Sequence, residues 1–358
     1  MRKRRGTTCD IILLDGGLGT TLTSPPHSIT FDDSTPLWSS HLLITSPETL
    51  LSSQKSFADD GAEVVITATY QASFEGFAAS GVKDEKEAGK LMRSAVRVAR
   101  EAFGNDEQGR GKVALSLGAY GAVMIPSQEY SGKYDVGHRS VEELREWHLN
   151  RLHVFLPSSS LPPLQECWKN VDLVAFETLP KIEEVLAARE TMWLAYHGLE
   201  PEEYRPFWIS CVFPGEGNRL PDGSSVAKVV HSMLRKREGA MRPVGIGINC
   251  TKVNKVDSLV REFEDAVKGV GEDGEGVSLV IYPDGTKVGE VYNTATKEWV
   301  VSGDGEGERS RQKAWDEEVF GIVTMARDRG VWKSIYVGGC CRTGPEEIGR
   351  LRRRINGM

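Results

Sequence analysis

The sequence predicts a single-domain α/β protein, a (β/α)8 TIM barrel, on three observations. Eight apolar or β-branched runs of strand length recur along the 358 residues, most followed by a small or polar residue and then a helix-like segment. The runs are apolar almost throughout rather than alternating, as strands are when both faces are covered. Reactive and charged side chains gather just past the C-terminal ends of these runs, where barrels of this kind carry their active sites. The barrel domain is assigned to 11–356. The basic head at 1–10, which opens Met1-Arg2-Lys3-Arg4-Arg5, is assigned as a flexible terminus, with a nuclear address as the alternative.

In chain order the expected strands are 11–14, running into Asp15-Gly16-Gly17; 63–69, before Tyr70-Gln71; 113–117, before Gly118-Ala119-Tyr120; and 172–176, before Glu177-Thr178. The second half adds 207–212, before Phe213-Pro214; 244–248, before Asn249-Cys250; 277–281, before Tyr282-Pro283; and 334–337, before Gly338-Gly339-Cys340-Cys341. Helices are expected over 46–60, 84–103, 140–155, 181–197, 223–237, 252–269, 312–329 and 344–354. Capping boxes mark three starts: Thr45 with Glu48, Ser140 with Glu143, and Thr343 with Glu346, the last with Pro345 in the first turn. Segments rich in Gly, Pro, Ser or charge at 104–112, 156–163, 214–223, 271–276 and 302–309 punctuate the units, and 24–40 forms a long excursion over the barrel's top. A doubly wound open sheet is the competing architecture. Its Gly-rich signature is only partly met, because Asp15-Gly16-Gly17-Leu18-Gly19 is followed by Leu22 where a glycine is required.

Lys plus Arg number 44 against 51 for Asp plus Glu, a net charge of -7, with no basic stripe, so a nucleic-acid partner is not expected. No apolar run approaches the roughly 20 residues of a membrane span. The run at 11–14 is too short for a signal-peptide core, which makes a cytoplasmic location the expectation. In such a chain the six cysteines (Cys9, Cys167, Cys211, Cys250, Cys340 and Cys341) point to metal binding or catalysis before a disulfide framework.

Three of those cysteines stand at strand ends, Cys250 after the sixth strand and Cys340 and Cys341 after the eighth. The dipole of the helix that follows the vicinal pair favours thiolates there. Three protein ligands with one open position are the pattern of a catalytic zinc, and all-sulfur ligation selects zinc over magnesium or calcium. The plain alternative is three small buried residues. Cys9, Cys167 and Cys211 are assigned to packing. Asp15 and Glu177 share the predicted rim, and a carboxylate beside Gly16-Gly17 suits the ammonium of an amino acid. Capping roles are as good a reading of either carboxylate alone, and an acid–base pair of glycosidase type leaves the cysteines unexplained. Trp38, Tyr70, Tyr120 and Tyr282 sit at strand ends or in rim loops, where they could hold a cationic methyl donor or simply pack. The seven histidines show no metal spacing.

Taken together, Leu14-Asp15-Gly16-Gly17 with Thr20, Gly61-Ala62 with Ile66-Thr67-Ala68-Thr69-Tyr70-Gln71-Ala72-Ser73, Gly118-Ala119-Tyr120-Gly121-Ala122, Phe176-Glu177-Thr178-Leu179-Pro180, Gly247-Ile248-Asn249-Cys250, Tyr282-Pro283 and Gly338-Gly339-Cys340-Cys341-Arg342-Thr343 resemble the homocysteine S-methyltransferases. The resemblance runs through most of the chain. It implies a barrel whose Cys250, Cys340 and Cys341 bind Zn2+, with Asp15 and Glu177 gripping the amino group of homocysteine and groups near Gly16, Thr67 and Asn249 helping. Residues 66–73 and 118–122 look like the branch that takes the methyl group from S-methylmethionine or S-adenosylmethionine to form methionine. Betaine as donor, selenocysteine as acceptor, and a non-catalytic zinc or thiol sensor in which Cys340 and Cys341 are oxidised remain the alternatives. Three departures stand out: Ala119 where the family has proline, a longer 284–289 link before Glu290, and a Pro/Ser insertion at 157–163 that interrupts a helix. The sequence carries no signal of oligomeric state.

Overall fold

Eight parallel strands close on themselves in this computed structural model, which describes residues 9–32, 35–104, 109, 111–157, 162–287, 289–293, 298–301 and 313–358, without the side chains of 162, 163, 291–293, 298, 299 and 301. In chain order they are β1 (Asp10–Leu13), β2 (Val64–Ile66), β3 (Lys112–Gly118), β4 (Leu173–Leu179), β5 (Phe207–Cys211), β6 (Gly245–Lys252) and β7 (Ser278–Asp284). An antiparallel hairpin follows, β8 (Glu290–Asn293) with β9 (Glu298–Val301), and β10 (Ser334–Val337) completes the set. The sheet order is β1-β10-β7-β6-β5-β4-β3-β2, and a parallel bridge between Leu14 and Val64 joins its two edges. The expected (β/α)8 barrel is the observed fold. Of the basic head at 1–10, only Cys9 and Asp10 lie within the described residues, and Asp10 already belongs to β1.

Side-chain parity divides the interior into two cores, since successive residues of a strand face opposite ways. Leu14, Val64, Ala114, Ala175, Trp208, Val280 and Tyr282 pack with one another inside the barrel. Their strand neighbours Leu13, Val65, Val113, Val174, Phe176, Ile209, Ile281, Ile335 and Val337 belong to the larger core under the helices. This explains why the strands are apolar on both faces. Trp208 fills the barrel because β6 is cut away beside it: a Cβ on Gly245 would stand 3.2 Å from the Trp208 Cβ and 2.8 Å from Val280 Cγ2.

Several boundaries differ from expectation, for local reasons. β2 stops at Ile66 because Thr67 and Thr69 turn their hydroxyls onto β3, Thr67 Oγ1 accepting from Ser116 N at 3.0 Å and Thr69 Oγ1 donating to Ser116 O at 2.7 Å. The last helix begins at Pro345, but Gly344 caps it, its N–H bonded to Glu347 Oε2 at 2.9 Å, while Thr343 turns back to the Cys340 carbonyl. Likewise Ser46, not Thr45, precedes the helix Pro47–Asp59. The Ser140–Glu143 capping box is present. The helix expected over 140–155 is observed as Val141–His153; around the insertion, 158–161 lie outside the described residues, and a second helix, Pro162–Lys169, follows it. Among the described residues no helix is long and apolar enough to cross a membrane.

Trp208 carries the packing of the barrel interior and is fully buried. Trp208→Ala should cost roughly 3–5 kcal/mol of stability, read as a lower denaturant midpoint in urea unfolding.

Candidate functional site

The parity that puts Ala114, Ala175, Trp208 and Val280 inside the barrel carries Ser116, Glu177, Ser210 and Tyr282 to its upper layer. There they bond to one another. Glu177 Oε1 accepts from Ser116 Oγ, the Tyr282 hydroxyl also bonds the carboxyl, and the Tyr282 oxygen lies 2.5 Å from Ser210 Oγ. Asp15, one residue past the Leu14 bridge, accepts the Ile66 N–H on Oδ2 at 2.8 Å. Its Oδ1 is buried with no hydrogen-bond partner. Asp15 is 2% exposed and Glu177 6%. Burial holds the Asp15 carboxyl well above its ordinary range, with a further push from Glu177, and raises Glu177 to about 7. Two buried carboxylates with an unpartnered oxygen between them attract a cation rich in N–H donors.

The three strand-end cysteines converge. The sulfurs of Cys250, Cys340 and Cys341 lie within 4.8 Å of one another, the one such group among the described residues able to hold a metal ion. Cys250 and Cys340 are joined as a disulfide, and Cys341 is free, so the vicinal pair is not the oxidised one. Reduction of that bond gives three thiols at one place, a donor set that fits a thiophilic cation. Asn249 prepares it: its Oδ1 accepts from Thr178 N at 2.8 Å, and its Nδ2 donates to Thr178 Oγ1 at 2.7 Å and to the Cys250 sulfur at 3.3 Å. The amide is thereby used up inside the frame, and Asn249 does not line the cavity. Thr178, Cys250 and Arg342 all have positive φ, 63°, 45° and 63°, in a region that non-glycine residues rarely adopt and that clusters at functional sites. The helix dipole expected to favour thiolates at Cys340 and Cys341 does not prevail at Cys341. Burial, with Asp284 and Glu129 nearby, pushes that thiol up to about 12.

Carboxylates and sulfurs open onto one cavity of about 410 Å3. Gly16, Thr67, Trp38, Tyr70 and Tyr282 line it, together with Ser116, Glu129 and Tyr130, which the sequence did not single out. Four acidic residues (Asp15, Asp32, Glu129 and Glu177) and no Lys, Arg or His stand in its described wall. Tyr120 lies elsewhere, stacked on His138 at 3.8 Å and donating to Asp135 Oδ2 at 2.7 Å. Glu290 is ion-paired with Arg342 at 3.2 Å. Cys211 and Cys167 pack in the core under the helices, and Cys9 packs against it.

Behind the cavity a buried polar frame fixes the loops. Arg151, in the helix Val141–His153, donates to the carbonyls of Ala72 and Gly118 at 2.9 Å and of Thr69 and Tyr70 at 3.0 Å. Glu184 accepts from Tyr120 N at 2.6 Å and Tyr134 OH at 2.5 Å, with His148 Nε2 at 3.1 Å. Neither residue stands at a strand end, so only a buried charge on an otherwise ordinary helix could have marked them.

The sequence model of the homocysteine S-methyltransferase family matches residues 12–355. Homocysteine S-methyltransferase 1 of Arabidopsis thaliana is 30% identical over 354 residues, which cover 96% of this chain and 93% of that protein. Betaine-homocysteine S-methyltransferase of Drosophila melanogaster is 29% identical over 338 residues, covering 91% and 89%. The solved structure of the homocysteine methyltransferase MmuM from Escherichia coli, in its metallated form, matches with a TM-score of 0.66 at 28% identity over 96% of each chain.

Arg151→Met would leave four carbonyls without their donor. The expected loss is about 3 kcal/mol or more, with earlier proteolytic cleavage in the loops after β2 and β3; a variant as stable as the parent would deny Arg151 its tying role.

Proposed function

Because the chain belongs to the homocysteine S-methyltransferase family, we propose that it moves a methyl group from S-methylmethionine or S-adenosylmethionine to homocysteine, forming methionine, with zinc held by Cys250, Cys340 and Cys341. The observation that carries the choice of donor is the wall of the cavity, acidic and without a basic side chain among its described residues. A sulfonium donor brings the positive charge such a wall lacks. Betaine is a zwitterion with no net charge, whereas S-methylmethionine and S-adenosylmethionine carry an ammonium beside their sulfonium and carboxylate and so bring a net positive charge to the acidic wall.

Homocysteine spans two fixed points. Asp15 Oδ1 and the Glu177 carboxylate take the ammonium, and the unused oxygen of Asp15 supports this assignment. Gly16 and Thr67 line the same end, and Asn249 acts one step back by orienting Thr178 and Cys250. At the other end Cys250, Cys340 and Cys341 would hold zinc, which would supply the Lewis acidity that keeps a homocysteine thiol ionised at neutral pH, where a free thiol is only roughly 3% ionised. That enforced ionisation is worth at most about 2 kcal/mol, and part is returned because a stabilised thiolate is a weaker nucleophile. The larger share, up to roughly 7–11 kcal/mol, comes from alignment of acceptor sulfur, methyl carbon and leaving sulfur. The carboxylates and the frame behind them set that alignment. No general acid is needed, since the leaving group is a neutral thioether. Thiol ligands must stay reduced for this chemistry, which suits the cytoplasm. A thiol sensor would have no use for the ammonium grip.

Two measurements test this. Cys250→Ala, Cys340→Ala and Cys341→Ala should each lose zinc and methionine formation together, while Glu177→Ala keeps zinc and raises the homocysteine KM; full turnover in zinc-free protein would end the proposal. The second is the pH dependence of methionine, which as product carries the ammonium but no thiol. A neutral carboxyl attracts no ammonium, and Glu177 without ligand titrates at about 7. Methionine inhibition should therefore strengthen as pH rises to about 7 and weaken below it, by about tenfold per unit, and Glu177→Gln should remove that step and leave only the part that Asp15 contributes.

A further inference from the structure

Resting on the methyl-transfer reading above, we propose that Glu129 receives the positive charge of the methyl donor, holding its sulfonium beside the acceptor sulfur.

Glu129 is 8% exposed, lines the cavity, and its Oε2 has no hydrogen-bond partner. Ser127 bonds the carboxyl group, but no basic side chain stands in the described wall to neutralise it. A buried carboxylate without a counter-ion is expensive, so its partner comes with a ligand. The acceptor's ammonium is already matched by Asp15 and Glu177, which leaves Glu129 for a second cation. Its place in the cavity is at the sulfur end: the next residue, Tyr130, hydrogen-bonds the Cys341 thiol. Tyr70 and Tyr130 line the same wall and supply the aromatic faces that suit the carbon shell of a sulfonium.

The chemistry fixes what Glu129 does to the rate. In the transfer a lone pair of the acceptor thiolate forms the new bond to the methyl carbon. The bond from that carbon to the donor sulfur breaks, and its electron pair stays on the donor sulfur, which leaves as a neutral thioether; no proton moves. The donor's positive charge therefore fades as the methyl group travels. A carboxylate facing it is worth more in the bound complex than in the transition state, so it tightens donor binding without accelerating the chemical step.

The test is Glu129→Gln in the zinc-loaded holoenzyme, assayed with S-methylmethionine. The expected result is a donor KM raised about tenfold or more, kcat equal to or above that of the parent, and an unchanged zinc content and homocysteine KM. A merely structural residue would lower kcat and stability together. Here the melting temperature should hold or rise, because an uncompensated buried charge has been removed. Glu129→Asp, which keeps the charge and withdraws it by one methylene, provides a second reading should the first variant not fold, and its donor KM should rise alone. An unchanged donor KM in a folded, zinc-loaded variant would overturn this proposal and leave the methyl-transfer reading standing. A parent enzyme inactive with every sulfonium donor would overturn both.

Discussion

The bridge between Leu14 and Val64 that shuts the barrel fixes the distance between the two halves of the site. Once β1 is locked between β2 and β10, Asp15 has one place to be. The Gly339 N–H bonds the Asp15 carbonyl at 3.0 Å, and the Gly17 N–H bonds the Thr343 carbonyl at 2.8 Å. This close approach needs glycine, for a Cβ on Gly338 would stand 2.5 Å from the Asp15 carbonyl oxygen. The loop that carries Asp15 and the loop that carries Cys340 and Cys341 are thus one backbone-bonded unit.

Charge explains the rest of the cavity. Burying several carboxylates around one cavity costs stability in the empty protein, and burial raises Asp15 and Glu177 toward their neutral forms. Ligands that bring positive charge would offset that cost, as the ammonium, sulfonium and metal ion of the proposed reaction do. Arg151, although buried and close by, cannot serve, because its guanidinium is committed to four carbonyls behind the wall. The polar frame of Arg151, Glu184 and His148 fixes the loops around the cavity.

Most of the fold was legible because a parallel barrel writes each strand as a continuous apolar run. The residues of the candidate site that stand at strand ends, Asp15, Glu177, Cys250, Cys340 and Cys341, were legible with it. Parity on β3, the alternation of Ala114 with its outward neighbours, was the signal that could have added Ser116. Glu129 and Tyr130 sit in the loop after β3, where no periodicity points inward. Arg151 and Glu184 act from helices, where sequence shows a charge but not its burial. Local competition hid the boundaries: threonine hydroxyls ended β2 early, and Thr343 gave up the cap to Gly344 in order to bond Cys340.

X-ray absorption at the zinc edge of the reduced, metal-loaded protein, without and then with homocysteine, tests most directly that the three cysteines gather one cation and leave a place for the acceptor. The account predicts three sulfurs at about 2.3 Å in the first spectrum and four in the second. A protein that retains no zinc, or a sulfur count that does not change when homocysteine is added, would contradict it.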